Sequence, residues 1–177
     1  MLISGRITKA RSIQITATLA ILIAAFSSSA FAADPFYFGA WKITSAAIAP
    51  WWDDRAHPPD PSETKELVGK SVTFEAQRIL GPRALNCPKL KYKVANYPAD
   101  WLFQGSFGEM HLRDKSVDPA KIAASVGFSK GKSWKTVETG CGNEIDYHFI
   151  DESTAAIGLN NYIYILNKLQ ASGTPER

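Results

Sequence analysis

Thr154-Ala155-Ala156-Ile157-Gly158-Leu159-Asn160-Asn161-Tyr162-Ile163-Tyr164-Ile165-Leu166 is the stretch on which the fold turns. Two short apolar runs flank Asn160-Asn161, and Asn tolerates the positive φ that a two-residue hairpin requires. The pair therefore reads as an antiparallel hairpin. Its second strand, Tyr162 to Leu169, is apolar on both faces, with Tyr162, Tyr164 and Leu166 opposed to Ile163 and Ile165. A strand of that kind needs cover on both sides, an interior on one and a helix on the other.

The same short periodicity extends outward from this hairpin. Ser133 to Thr139 and Glu144 to Ile150 precede it as strands separated by turn residues. Further back, Lys89 to Val94 alternates with three lysines on one side. Ser71 to Leu80 places Val72, Phe74 and Ala76 on one face, and Ala40 to Ala49 carries Trp41 and Ile43 among small residues. Leu102 to Leu112 is a looser strand candidate, interrupted by Gly105 and Gly108. Two short helices interrupt the series. Asp60-Pro61-Ser62-Glu63 combines an N-cap, Pro at N1 and Glu at N3, with Gly69 as the stop. Asp118-Pro119 opens the other and Gly127 ends it. The whole reads as mainly β: an antiparallel meander of about eight strands closing into a barrel, with two short helices.

The first 32 residues have a different character. Arg6, Lys9 and Arg11 precede an uncharged run from Ile13 to Phe26, and Ala30-Phe31-Ala32 supplies small residues at the −3 and −1 positions of a cleavage site. Residues 1–32 are expected to be a cleavable signal peptide and residues 33–177 a single exported domain, periplasmic or secreted, with no stable membrane insertion after cleavage. Removal of the leader takes away three of the 20 Lys and Arg and none of the 17 Asp and Glu, so the remaining charges balance. The basic excess that would suggest nucleic acid disappears with it. In an oxidising compartment the two cysteines, Cys87 and Cys141, are expected to form a disulfide. They show no C-x-x-C spacing, which leaves neither a metal site nor a redox motif.

Gly39-Ala40-Trp41, at the entrance to the first strand, resembles the G-x-W motif of lipocalin-like (calycin) barrels. The resemblance implies a small antiparallel barrel, a Trp packed across one end, and an interior or mouth that holds a small apolar ligand. The chain departs from that pattern in lacking an Arg on the last strand, where Lys168 is the nearest cation. Its second helix also precedes the last strands rather than following them.

Candidate functional residues are few. Arg78 continues the parity of Val72, Phe74 and Ala76, so it is a candidate to turn inward near a mouth and hold a ligand anion, or to pair with an acid such as Glu138. Trp41 and Arg78 are thus the ligand-binding candidates. Trp51 and Trp52 open a loop running to Asp60 and are the candidates for binding a partner protein of the envelope. Asp53, Asp54 and His57 in that loop carry metal-donor atoms, but solvated charges in a rigid loop describe them better. His57, His111 and His148 show no ligand spacing, and no nucleophile elbow or phosphate loop is present. Acid pairs such as Glu138 with Asp146 can be drawn across neighbouring strands, as in any β protein. The expectation is a non-enzymatic binding protein for a small, partly apolar molecule, without cofactor or metal. A protein–protein or inhibitor module is the alternative.

Overall fold

The computed structural model describes residues 34–52, 58 and 60–170; the expected leader, and Asp53, Asp54 and His57, lie outside them. The strands are β1 (Gly39–Ile48), β2 (Ser71–Phe74), β3 (Ile79–Leu80), β4 (Lys93–Tyr97), β5 (Trp134–Glu138), β6 (Tyr147–Phe149), β7 (Thr154–Leu159) and β8 (Tyr162–Lys168). They form one eight-stranded sheet in the order β3-β2-β1-β8-β7-β6-β5-β4, with every pairing antiparallel. That order is a meander in which the last strand returns to the first. The result is a curled half-barrel whose opening falls between β3 and β4.

The chain between those two edges bridges the opening. Cys87 exchanges both backbone hydrogen bonds with Ile79 (2.8 and 2.9 Å), and Leu90 N–H donates to the Gln77 carbonyl (3.1 Å). One residue later, Lys91 N–H donates to the Thr139 carbonyl just past β5 (3.3 Å). The Cys87–Cys141 disulfide joins the same two sides, with Cα atoms 6.1 Å apart.

The deciding hairpin forms in the expected register, Leu159 opposite Tyr162, with Asn160 at φ 48°. The two-faced strand has two kinds of cover. Tyr162, Tyr164 and Leu166 join the core inside the curl with Trp41, Val72, Phe74 and Tyr147. Ile163 joins a second core with Leu102, Phe103, Phe107 and Phe128, against which Ile165 also packs. A helical layer over the outer face of the sheet supplies that second core.

Among the described residues there are three α-helices: α1 (Pro61–Leu67), α2 (Ser106–Arg113) and α3 (Pro119–Ser125). The two with Asp-Pro starts behave as their sequences dictate, Asp60 and Asp118 each accepting first-turn N–H groups. Gly127 at φ 104° then lets Phe128 N–H reach back to the Ala123 carbonyl (2.9 Å), which closes α3 and buries the Phe128 ring.

The third helix corrects the reading of Leu102 to Leu112 as a strand. Phe103, Gln104 and Gly105 all take positive φ (52°, 55° and 82°), and α2 begins directly after this turn. Phe103, Phe107 and Met110 recur at helical spacing on the face that packs into the second core. A second correction concerns Ser71 to Leu80, which is a hairpin rather than one strand. Its turn closes with Glu75 N–H donating to the Arg78 carbonyl (3.0 Å), and the Tyr92 hydroxyl donates to the Glu75 carbonyl (2.8 Å).

Candidate functional site

Trp41 is fully buried and its indole N–H donates to the Tyr37 carbonyl (2.9 Å). Gly39 at φ 103° turns the chain so that the aromatic run Phe36–Phe38 folds under the sheet end. In the β1–β8 register Trp41 faces Lys168, whose ammonium lies 5.6 Å from the indole ring and donates to the Phe36 carbonyl (2.6 Å). The Lys168 ammonium thus makes a cation–π contact with the buried indole.

Arg78 lies in the exposed turn between β2 and β3, and its Nε donates to Glu75 Oε2 at 2.6 Å. The intervening turn breaks the parity that the sequence suggested, so the guanidinium points to solvent and pairs with Glu75 rather than Glu138. Trp51 is half-buried. Its ring packs against Phe103 and Phe107 (centroids 5.5 and 6.0 Å), and its N–H donates to the Asn160 carbonyl (3.3 Å). Gly158 makes room for it, since a Cβ there would lie 3.1 Å from the indole. Trp52 is also half-buried.

A concavity lies elsewhere, where α2 and the loop 140–146 overhang the ends of β4 and β5. It encloses about 770 Å³, in the range of small-molecule sites. Tyr97, Trp101, Gln104, Glu109, His111, Leu112, Glu138, Glu144 and Asp146 are among its lining residues, with the disulfide sulfur side at Cys141. Neither Trp41 nor Arg78 lines it. Comparison with family models, curated proteins and solved structures finds no match to this chain. The chemistry of the cleft must therefore be read from its own side chains.

One wall is aromatic. Tyr97 ends β4, a 3-10 turn (Ala99–Trp101) follows, and the two rings stack with centroids 6.1 Å apart at 26°. Trp101 remains 60% exposed, a large cost in apolar surface unless something covers it. Leu112, also exposed, continues the apolar rim from α2.

The floor is acidic. Glu138 receives the Tyr97 hydroxyl and both of its oxygens are reached by Lys93 Nζ (2.9 and 3.0 Å). These bonds hold the Glu138 carboxyl below its ordinary range and push the Tyr97 phenol up to about 12. Asp146 shifts the other way, to about 6, because burial and then the nearby Glu138 charge disfavour its ionised form. Glu138 and Asp146, which strand adjacency alone did not single out, line the same cleft with their proton affinities pushed apart.

Two other residues fix the walls. Gln104 Nε2 donates to the Glu144 carbonyl (3.1 Å), tying the turn before α2 to the loop 140–146. Beneath it, fully buried His148 accepts the Phe103 N–H on Nε2 (2.9 Å), so its proton sits on Nδ1 and donates to Thr136 Oγ1 (2.8 Å). This bond holds the left-handed turn at Phe103. His148 thus has a structural role that its position in the sequence does not signal. His111 Nδ1 meets the Val117 carbonyl at 2.7 Å, which orients the imidazole at the cleft rim.

Gly108 sets how closely α2 approaches the 3-10 turn. A Cβ there would meet the Asp100 carbonyl oxygen at 2.7 Å, and backbone cannot yield as a side-chain tip can. Gly to Ala in a helix ordinarily adds stability. Here Gly108→Ala is expected to cost about 1–3 kcal/mol, the range for overpacking, as read from urea unfolding midpoints. A gain in stability would show that α2 is not held against Asp100.

Tyr97 and Trp101 escaped sequence reasoning because neither belongs to a motif. Local sequence did not mark Trp101 as exposed, since Ala99, Leu102 and Phe103 around it are apolar.

Proposed function

We propose that this chain is an exported, non-enzymatic protein that binds a small, partly apolar molecule in lipocalin-like fashion, seated in the cleft beneath α2. The observation that carries the reading is the exposed Trp101 stacked on Tyr97 along one wall of a cavity of about 770 Å³. Stacking surface of this kind recognises planar or apolar ligand bodies, while a few polar groups set orientation. The disulfide fits an oxidising compartment, and no helix among the described residues is long and apolar enough to cross a membrane.

Native mass spectrometry of protein recovered from the periplasm tests both parts. The expected polypeptide mass begins at Ala33 and carries a non-covalent adduct that Trp101→Ala loses while keeping its fold by circular dichroism. Absence of any adduct from the wild-type protein, or an adduct indifferent to Trp101, would count against the cleft as the seat.

A further inference from the structure

We propose that the cleft selects an organic cation, an ammonium group carried on an apolar or aromatic body. The inference rests on the reading of the cleft as a ligand seat. Five carboxylates line the cavity, those of Asp100, Glu109, Glu138, Glu144 and Asp146, and no Lys or Arg does. From residue 33 onward the acidic and basic residues balance, so this excess is local. An anion, or a neutral ligand without hydrogen-bond donors, filling the cavity would strip water from these acids and return nothing. A cation would supply the missing counter-charge.

The acids are not equally available. Lys93 and the Tyr97 hydroxyl already occupy Glu138. Among the described residues, ion pairs join Arg78 to Glu75 and Lys93 to Glu138, and none reaches Asp146. Half-buried Asp146 lies beside Glu138, with the Gln104 amide and the more distant Lys93 charge favouring its ionised form. The exposed face of Trp101 offers the negative π surface to which ammonium groups are drawn. An aromatic wall in a cleft whose five acidic residues outnumber the one lysine that reaches them suits a cation better than an anion.

The arrangement links binding to pH. Asp146 titrates near 6, faced by Glu138 from β5, Lys93 and Tyr97 from β4, Gln104 from the turn before α2, and His111 and Glu109 from α2. A permanent cation favours the ionised carboxyl, so affinity should rise as pH passes upward through about 6. His111 also lines the cleft, and the variant Asp146→Asn assigns the effect to the carboxyl.

Benzyltrimethylammonium is a suitable probe because its charge does not titrate; benzyl alcohol and benzoate share its ring. Binding is followed by the indole N–H resonance of Trp101, one of five Trp, assigned with Trp101→Phe. The expected result is saturable binding of the cation at least tenfold tighter than the alcohol, with benzoate weakest. Asp146→Asn should weaken the cation roughly fivefold to tenfold and flatten its pH dependence, the size expected from one lost close charge. Equal binding of alcohol and cation at Trp101, or cation affinity untouched by Asp146→Asn, overturns the choice of cation while leaving the cleft as a seat. Failure of all three probes to move Trp101 overturns the seat itself.

Discussion

Replacing Cys87 and Cys141 together by alanine is expected to lower stability by about 4 kcal/mol. The bridge closes a loop spanning 54 positions, and the chain-entropy relation gives that figure for a loop of this length. The location adds a physical reason to expect most of it. The half-barrel is open between β3 and β4, and the only backbone links across the opening are those of the segment from Cys87 to Tyr92 with Gln77, Ile79 and Thr139 among the described residues. A cross-link here restrains the part of the sheet that strand pairing leaves unclosed. Both sulfurs are buried, so alanine leaves only small voids and the effect reads chiefly on the cross-link. Against a typical domain stability of about 5–15 kcal/mol, the loss is large. It corresponds to a fall in Tm of roughly 10–15 °C for a domain of this size. Urea unfolding of the double variant, compared with oxidised and reduced wild type, checks it. The reduced protein should match the variant. A loss under about 1 kcal/mol would mean that the backbone pairings hold the opening closed unaided.

The legible part of this chain is the part whose structure is local. Thr154 to Leu169 could be read residue by residue because strand periodicity and a two-Asn turn are properties of neighbours, and the register found is the one those neighbours dictate. The Asp-Pro helix starts at Asp60 and Asp118 are legible for the same reason. Leu102 to Leu112 misled because two glycines looked like breaks in a strand. Gly105 is the left-handed residue that launches α2, and Gly108 is the contact that seats it; the spacing of Phe103, Phe107 and Met110 was the available clue. Arg78 misled because a turn without Gly, Pro or Asn intervenes after Phe74, and alternation carried through a turn has no meaning. The cleft was illegible for a deeper reason. Glu138 and Asp146 could be named as a cross-strand pair, but only the packing of α2 and the loop 140–146 around them makes a cavity, and those contacts are long-range.

Acidification is the second condition under which this fold is expected to lose substantial stability, and His148 is the cause. Burial pushes its pKa from 6.5 down to about 3, because the surrounding core disfavours an imidazolium and Nε2 is committed as acceptor to the Phe103 N–H. A group whose protonated form is disfavoured by folding binds its proton in the unfolded chain first. The stability it contributes is therefore complete above about pH 6.5 and declines as pH falls toward about 3. Between pH 7 and pH 4 the decline amounts to about 3 kcal/mol. Asp146 acts in the opposite direction, since its pKa is raised to about 6 and folding favours its protonated form as pH falls through that value. The two partly offset each other in the wild-type protein. In the Asp146→Asn background the decline should steepen, and adding His148→Gln should make it shallower, the carboxyls held low, Glu138 among them, supplying the decline that remains. The glutamine keeps an acceptor for Phe103 and a donor for Thr136 but does not titrate. Imidazole NMR gives the direct reading: His148 should remain the neutral Nδ1–H tautomer down to pH 4. Titration of that ring near pH 6.5 in the folded protein would remove the argument. Because the Phe103 N–H bond holds the left-handed turn that positions Gln104 over Glu144, the first region to loosen on protonation should be the wall of the cleft. Amide exchange at Phe103 to Gly105 should accelerate before that of the β7–β8 hairpin.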